Sequence, residues 1–292
     1  MKTTILPTLG PQTKAPSKCP ITISKLYLKK LMVSLFLGNK RDEPILASGR
    51  CPLGFDQPEK TQDSVFIEKA SHESAASVQI QGDPEADFIL QQARASIYHW
   101  PSDFPGFSSR LEVINGEHSY SGSLRAASSR DYTISLPEFE PKYWLRFQIE
   151  EFLAHREHPD VSRMASRSGV AMGDNDPIFG RRIDFLGDKM GSYYRIKDKK
   201  LCLIGRSYAN QDFVITINAH LDCGGTFAST HYTAYYRERD GGNLVRSESF
   251  FDEYVLVDGH FLPKERRYIE VNNHGFISRA IRFSEHSILP PS

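Results

Sequence analysis

Glu151, His155 and His158 stand at i, i+4 and i+7, a spacing that puts one carboxylate and two imidazoles along a single stripe of a helix. These are the donor types that bind zinc and related divalent ions. No fourth ligand is identifiable by spacing, and the same residues also make an ordinary polar helix end, where histidine and Arg156 oppose the negative end of the helix dipole. Arg195, within Tyr193-Tyr194-Arg195, and the acidic pair Asp252-Glu253 have the charges to form an ion pair or to orient a ligand head group. Charged residues on strands mostly face water, so a surface salt bridge is the plainer expectation. Glu151 or His155 as general base, with Arg195 stabilising an anion, would serve a hydrolase or lyase, but nothing in the spacing brings the three together. Asp174-Asn175-Asp176 offers oxygens to calcium; Pro177 follows, and the glycine and terminal glutamate of an EF-hand loop are missing, which predicts a turn.

The larger motifs of enzyme chemistry are absent. The chain has no GxxxxGK[ST] loop, GxGxxG fingerprint, HExxH or GxSxG elbow, and no cofactor is indicated. With 36 basic and 36 acidic residues it has no net pull toward nucleic acid. No apolar run approaches the roughly 18 residues of a membrane-crossing helix, so the chain is not expected to span a membrane. Cys19, Cys51, Cys202 and Cys223 match neither a disulfide framework nor a CxxC zinc pattern. Cys202 and Cys223 fall on neighbouring predicted strands and are expected to be free thiols.

Any such residue must be positioned by helices and strands, and these have local signatures. Asp83-Pro84 reads as an N-cap followed by proline at the first helical position, with Ile89, Ala93 and Ile97 as the apolar stripe and an end before Pro101. A second helix starts at Pro141 after Glu140, lines Leu145, Ile149, Phe152 and Leu153 along one side beside Trp144 and Phe147, and stops at Pro159. Most of the remainder alternates with period two. Phe213, Ile215, Ile217, Ala219 and Leu221 are expected to point one way, and Val214, Thr216, Asn218 and His220 the other. Asn115-Gly116, Gly241-Gly242, Asp188-Lys189 and Asp258-Gly259-His260 read as turns between consecutive strands. Short loops imply antiparallel pairing, so the expected class is α+β: a large curved antiparallel meander, a half-open barrel, with two packed helices.

Residues 1–87 hold only Tyr27, Phe36, Phe55 and Phe66 of the chain's 18 Phe, 13 Tyr and 2 Trp, which places the start of the core near Asp83. Residues 1–41 contain no Asp or Glu but eight Lys or Arg among many Ser and Thr, the composition of an organelle transit peptide. A secretory signal fits less well, because the apolar run Leu31 to Leu37 is short and late; a plain disordered tail is the other reading. Residues 42–82 read as a linker with one docking patch at Cys51 to Phe55, and residues 83–292 as a single domain.

On the predicted strand Val245 to Val257, Val245, Phe251, Val255 and Val257 mark one face while Leu244, Phe250, Tyr254 and Leu256 mark the other. Apolar content on both faces fits a sheet covered by helices, and it also fits a barrel wall that meets an apolar ligand. The segments Tyr98-His99-Trp100 with Asp103-Phe104-Pro105-Gly106-Phe107, Tyr194-Arg195-Ile196 with Asp198, and Phe251-Asp252-Glu253-Tyr254 with Gly259 and Leu262-Pro263 together resemble an uncharacterised domain family of cyanobacteria and plastid-bearing organisms, over about Asp83 to Leu289. That resemblance implies no activity. Behind a basic, acid-free leader it implies a chloroplast address, stroma or membrane surface, with the cytoplasm as the alternative. The order of helices and strands is also similar to the periplasmic lipoprotein-carrier fold. The resulting expectation is a non-enzymatic protein that binds a lipid, isoprenoid or pigment, with Trp100, Phe104, Phe107, Tyr194, Arg195, Phe251 and Tyr254 as ligand contacts. The alternatives are an assembly or docking factor for a photosynthetic or membrane-associated complex, and a hydrolase or lyase acting on an apolar substrate.

Overall fold

The computed structural model describes residues 82–291 apart from 138, 140–141, 158–168, 209–210 and 240–241. The first helix, α1 (Pro84–Ala95), starts where the sequence predicts: the Asp83 carboxylate accepts from the Glu85 and Ala86 amides and Pro84 opens the first turn. Its buried stripe is Ala86, Leu90 and Ala93 rather than Ile89, Ala93 and Ile97. Ile97 lies past the helix, in a parallel bridge to Phe227. The second helix, α2 (Lys142–Arg156), buries Leu145, Ile149, Phe152 and Leu153 as expected, and Gln148, Glu151 and Arg156 with them.

Twelve strands form one open antiparallel sheet: β1 (Phe107–Asn115), β2 (His118–Ala126), β3 (Tyr132–Ser135), β4 (Val170–Asp176), β5 (Gly180–Phe185), β6 (Tyr193–Lys197), β7 (Lys200–Tyr208), β8 (Gln211–Asp222), β9 (Phe227–Glu238), β10 (Leu244–Val257), β11 (His260–Asn272) and β12 (Gly275–Ile288). The order β3-β2-β1-β12-β11-β10-β9-β8-β7-β6-β5-β4 is two meanders joined where β1 pairs with β12. The expected α+β class, a curved antiparallel sheet with two helices, is what the chain adopts. Turn chemistry explains the hairpins. Asn115 pairs with His118 across Gly116, and Val257 pairs with His260 across Asp258 and Gly259, whose φ angles of 47° and 83° suit a tight turn that follows strand twist.

Register shifts interrupt the β1–β12, β8–β9 and β10–β11 ladders. One of them changes the expected facing of β8. Register shifts between Ile217 and Ala219, and again between Ala219 and His220, end the alternation. Phe213, Ile215 and Ile217 are buried as expected, whereas Ala219 is exposed and His220 turns toward the interior. Both helices cover the inner face of the sheet, where Leu111, Val113, Ile215, Phe250, Leu262 and Ile281 form part of one continuous core.

Candidate functional site

The centre of the inner face is polar. Arg266 of β11 lies opposite Asp252 of β10, and the two are joined by parallel hydrogen bonds, Nε to Oδ1 at 2.8 Å and Nη2 to Oδ2 at 2.7 Å. The same guanidinium donates to Tyr232 Oη of β9 at 2.9 Å and to Gln148 Oε1 of α2 at 3.0 Å, and its Nη1 stands 3.7 Å from Glu151 Oε2. Phe152 and Phe250 flank its plane at 5.6 and 5.4 Å. Arg266 and Asp252 are 4% and 5% exposed. A bidentate pair with further donors satisfied is the arrangement in which a buried ion pair comes closest to recovering its desolvation cost.

Glu151 is 2% exposed, and neither of its carboxylate oxygens has a hydrogen-bond partner among the described residues. Burial raises its carboxyl to about 7; Arg266 and the nearby Tyr232 hydroxyl oppose the rise, while Asp252 and Glu248 add to it. Burial also works against the charge on Arg266, but the Asp252 carboxylate and the Tyr232 hydroxyl outweigh it and hold the guanidinium protonated well beyond its usual range. His155, one turn on, has Nδ1 4.0 Å from Glu151 Oε1. Arg156 follows, donating through Nη2 to Tyr254 Oη and through Nη1 to the His155 carbonyl at 3.2 Å.

These groups border a cavity of about 60 Å³ between the end of α1, the C-terminal half of α2 and the inner face of β7 to β11. Its wall is apolar where Ile97, Leu201, Ile204, Ile215, Ile217 and Phe227 meet. Its floor carries Glu151, Asp252 and Arg266, with His155, Arg156, Lys200 and His220 around them. Burial pushes the His220 imidazole below its ordinary value, favouring the neutral ring.

The residues expected from sequence to contact a ligand fall in five places, none of them bordering this cavity. Trp100, Phe104 and Phe107 pack together, with ring centres 4.8 and 5.9 Å from Trp100, and the indole donates to the Phe261 carbonyl; this nest anchors the segment between α1 and β1. Tyr194 packs against Phe185 and accepts from Arg206. Arg195 donates to both oxygens of Asp174, at 3.1 and 2.8 Å, far from Asp252 in the strand order, so the expected Arg195 to Asp252-Glu253 pairing does not form. Asp252 turns inward to Arg266, and Glu253 meets Lys264 at 3.0 Å on the outside. Phe251 is stacked on His231 at 4.2 Å on the outer face, because Phe250 takes the inward position. Tyr254 stands next to the site through Arg156 and Phe152, and Trp100 reaches the same two residues, its amide donating to the Arg156 carbonyl at 2.7 Å and its ring 6.3 Å from Phe152.

The metal stripe is described only in part. His158 lies outside the described residues, no group of three His, Cys, Asp or Glu side chains among those described is placed to hold an ion, and the neighbour of Glu151 is a guanidinium, which repels a cation. Asp176 caps its turn by accepting from the Ile178 and Phe179 amides, as a turn requires, and Cys202 and Cys223 are free thiols. Arg266 and Tyr232, central to the site, were not singled out by sequence. The signal available was the inward parity of Arg266 and Tyr268 on β11, two residues apart on a strand whose Tyr268 is buried.

Fold and site together define an open antiparallel sheet that holds two helices over a small cavity with apolar walls and a charged floor. The chain belongs to the family described as "Protein of unknown function (DUF3386)", which matches residues 81–289. Among solved structures, a LolA superfamily protein from Nitrosomonas europaea is similar, at 11% identity and a TM-score of 0.32, over 70% of this chain and 94% of that one. No curated protein matches. No helix among the described residues is long and apolar enough to cross a membrane.

Proposed function

We propose that the protein is a non-enzymatic binding protein for an apolar molecule, a lipid, isoprenoid or pigment, seated between α2 and the inner face of the sheet. The observation that carries this reading is the apolar wall that Leu201, Ile204, Ile215, Ile217 and Phe227 of the sheet and Ile97 after α1 form along one cavity. At about 60 Å³ the cavity is smaller than the roughly 300–1,000 Å³ of pockets that enclose drug-sized ligands, so occupancy by a chain molecule requires α2 to move off the sheet. The acid-free, basic composition of residues 1–41 supports action in the plastid, in the stroma or at a membrane surface. Ile217→Asp puts a charge into the wall and is expected to abolish retention of an apolar ligand by the purified full chain, read by native mass spectrometry. Phe251→Asp, on the outer face, is expected to leave it intact. Equal retention in all three proteins would contradict the assignment.

A hydrolase or lyase acting on an apolar substrate is the second reading, and the observation in its favour is Glu151, a buried carboxyl titrating near neutrality beside His155 and Arg266. Arg266 takes the anion-stabilising place that the sequence offered to Arg195. Conversion of the extracted ligand by the intact chain, lost in Glu151→Gln, would favour this reading. Docking to a photosynthetic complex rests on residues 42–82, outside the described residues except for Gly82. Pull-downs with and without that segment test it, and identical partner sets would remove it.

A further inference from the structure

The cations and anions at the cavity floor are unequally matched. Three cations, Arg156, Lys200 and Arg266, border the cavity against two carboxylates, Glu151 and Asp252. Asp252 is fully engaged by Arg266 through both oxygens. Lys200 sits over the Phe227 ring at 4.2 Å, at the apolar wall. Arg156 is the exception: 6% exposed, its hydrogen-bond partners among the described residues are neutral, the Tyr254 hydroxyl and the His155 carbonyl, the Phe152 and Tyr254 rings lie 5.7 and 5.2 Å from it, and its Nε has no partner among the described residues. No carboxylate of a described residue lies within 4.0 Å of it. The Asp252 carboxylate, already engaged by Arg266, acts on Arg156 only from a distance. A buried guanidinium with no carboxylate in contact is costly, and a carboxylate is the group that best fits its planar donor set.

Glu151 supplies a second sign of an unfinished polar site. Its oxygens, also buried on the cavity border, make no hydrogen bond of ordinary geometry among the described residues, although the Tyr232 hydroxyl faces them. Burial holds this carboxyl partly protonated at neutral pH, and in that form it has an O–H to give to an acceptor.

We infer that the cavity receives the head of an amphipathic acid, a carboxylate on an apolar chain, with Arg156 as its charge partner and the chain along the Ile204, Ile215 and Ile217 wall. The inference rests on the apolar-ligand reading above and adds the chemistry of the ligand's head. Tyr254, which donates to the Ser229 carbonyl at 3.1 Å while accepting from Arg156, holds the guanidinium in place as a positioning residue.

Delipidated full-length protein titrated with decanoate and with decan-1-ol by calorimetry separates the head from the chain. Decanoate is expected to bind about tenfold to a hundredfold more tightly than decan-1-ol, the range of one charged hydrogen-bonded contact. Arg156→Gln is expected to bring the two affinities together by weakening decanoate more than decan-1-ol, and Arg156→Lys to restore part of the difference. Equal affinities in the unaltered protein would overturn the carboxylate assignment and leave the apolar-ligand reading standing, a result that does not depend on any variant folding. No binding of either compound would overturn both.

Discussion

Two arginine–aspartate pairs with nearly the same contact distances occupy opposite environments in this sheet. Arg266 and Asp252 meet at 2.7 Å under α2, with side chains 5% and 2% exposed; Arg195 and Asp174 meet at 2.8 Å near the β4 edge, with side chains 13% and 65% exposed. The inner pair is bound further by Tyr232 and Gln148 and flanked by two phenylalanines, whereas the outer pair has water on one side and a single additional bond, from Arg195 to the Gly180 carbonyl at 3.2 Å. The contact itself therefore says little about what a pair does. Burial decides it, because water screens the outer charges and leaves the inner ones dependent on each other. The inner pair also borders the cavity, whereas the outer pair does not.

Removing one partner should separate the two pairs most sharply. Arg266→Met leaves Asp252 buried without a counter-charge and is expected to lower stability by about 3–5 kcal/mol, read from urea unfolding; Asp252→Leu added to it should recover part of the loss. A loss no larger than that of an outer-pair variant would erase the distinction.

The next effect depends on pH. Glu151 titrates at about 7 in the folded chain and near 4.5 when unfolded, so between those values the native state holds a proton that the unfolded chain has released. Unfolding releases protons in that window, and stability falls as pH rises through it, by about 3 kcal/mol in total. Glu151→Gln, which cannot ionise, should remove this slope: its stability relative to the unaltered chain should climb from pH 4.5 to 7 and then level off. Parallel unfolding curves across that range would contradict a raised Glu151.

At the small end, Arg195→Met should leave the unfolding midpoint unchanged within error and remove only the depression of the Asp174 carboxyl that its hydrogen bonds produce, visible as an upward shift in the Asp174 titration by NMR. An unfolding midpoint as low as that of Arg266→Met would show that the outer pair carries the fold too.

The inner pair shows where sequence stops being readable. Local chemistry located both helices and the hairpins at Asn115-Gly116 and Asp258-Gly259, because capping and turn preferences act within a few residues. Cross-strand partners depend on register. Counting back from the Asp258-Gly259 turn puts Asp252 opposite Glu265; the irregularity between Glu253 and Tyr254 moves it onto Arg266. The same kind of shift after Ile217 brings His220 to the cavity against its expected facing. Phe251 shows a different difficulty: on a strand with apolar residues at both parities, alternation alone does not say which face is inside, and Phe250 takes the core position. Glu151 and His155 were visible as a helical stripe, but its partner turned out to be a guanidinium from a strand more than a hundred residues away.

The most direct measurement is native mass spectrometry of the full chain purified from a photosynthetic host, followed by organic extraction of whatever travels with it. A stoichiometric apolar molecule, lost in Ile217→Asp and kept in Phe251→Asp, is the predicted result. A protein that emerges empty from that host and takes up neither decanoate nor decan-1-ol would contradict ligand binding at the inner face.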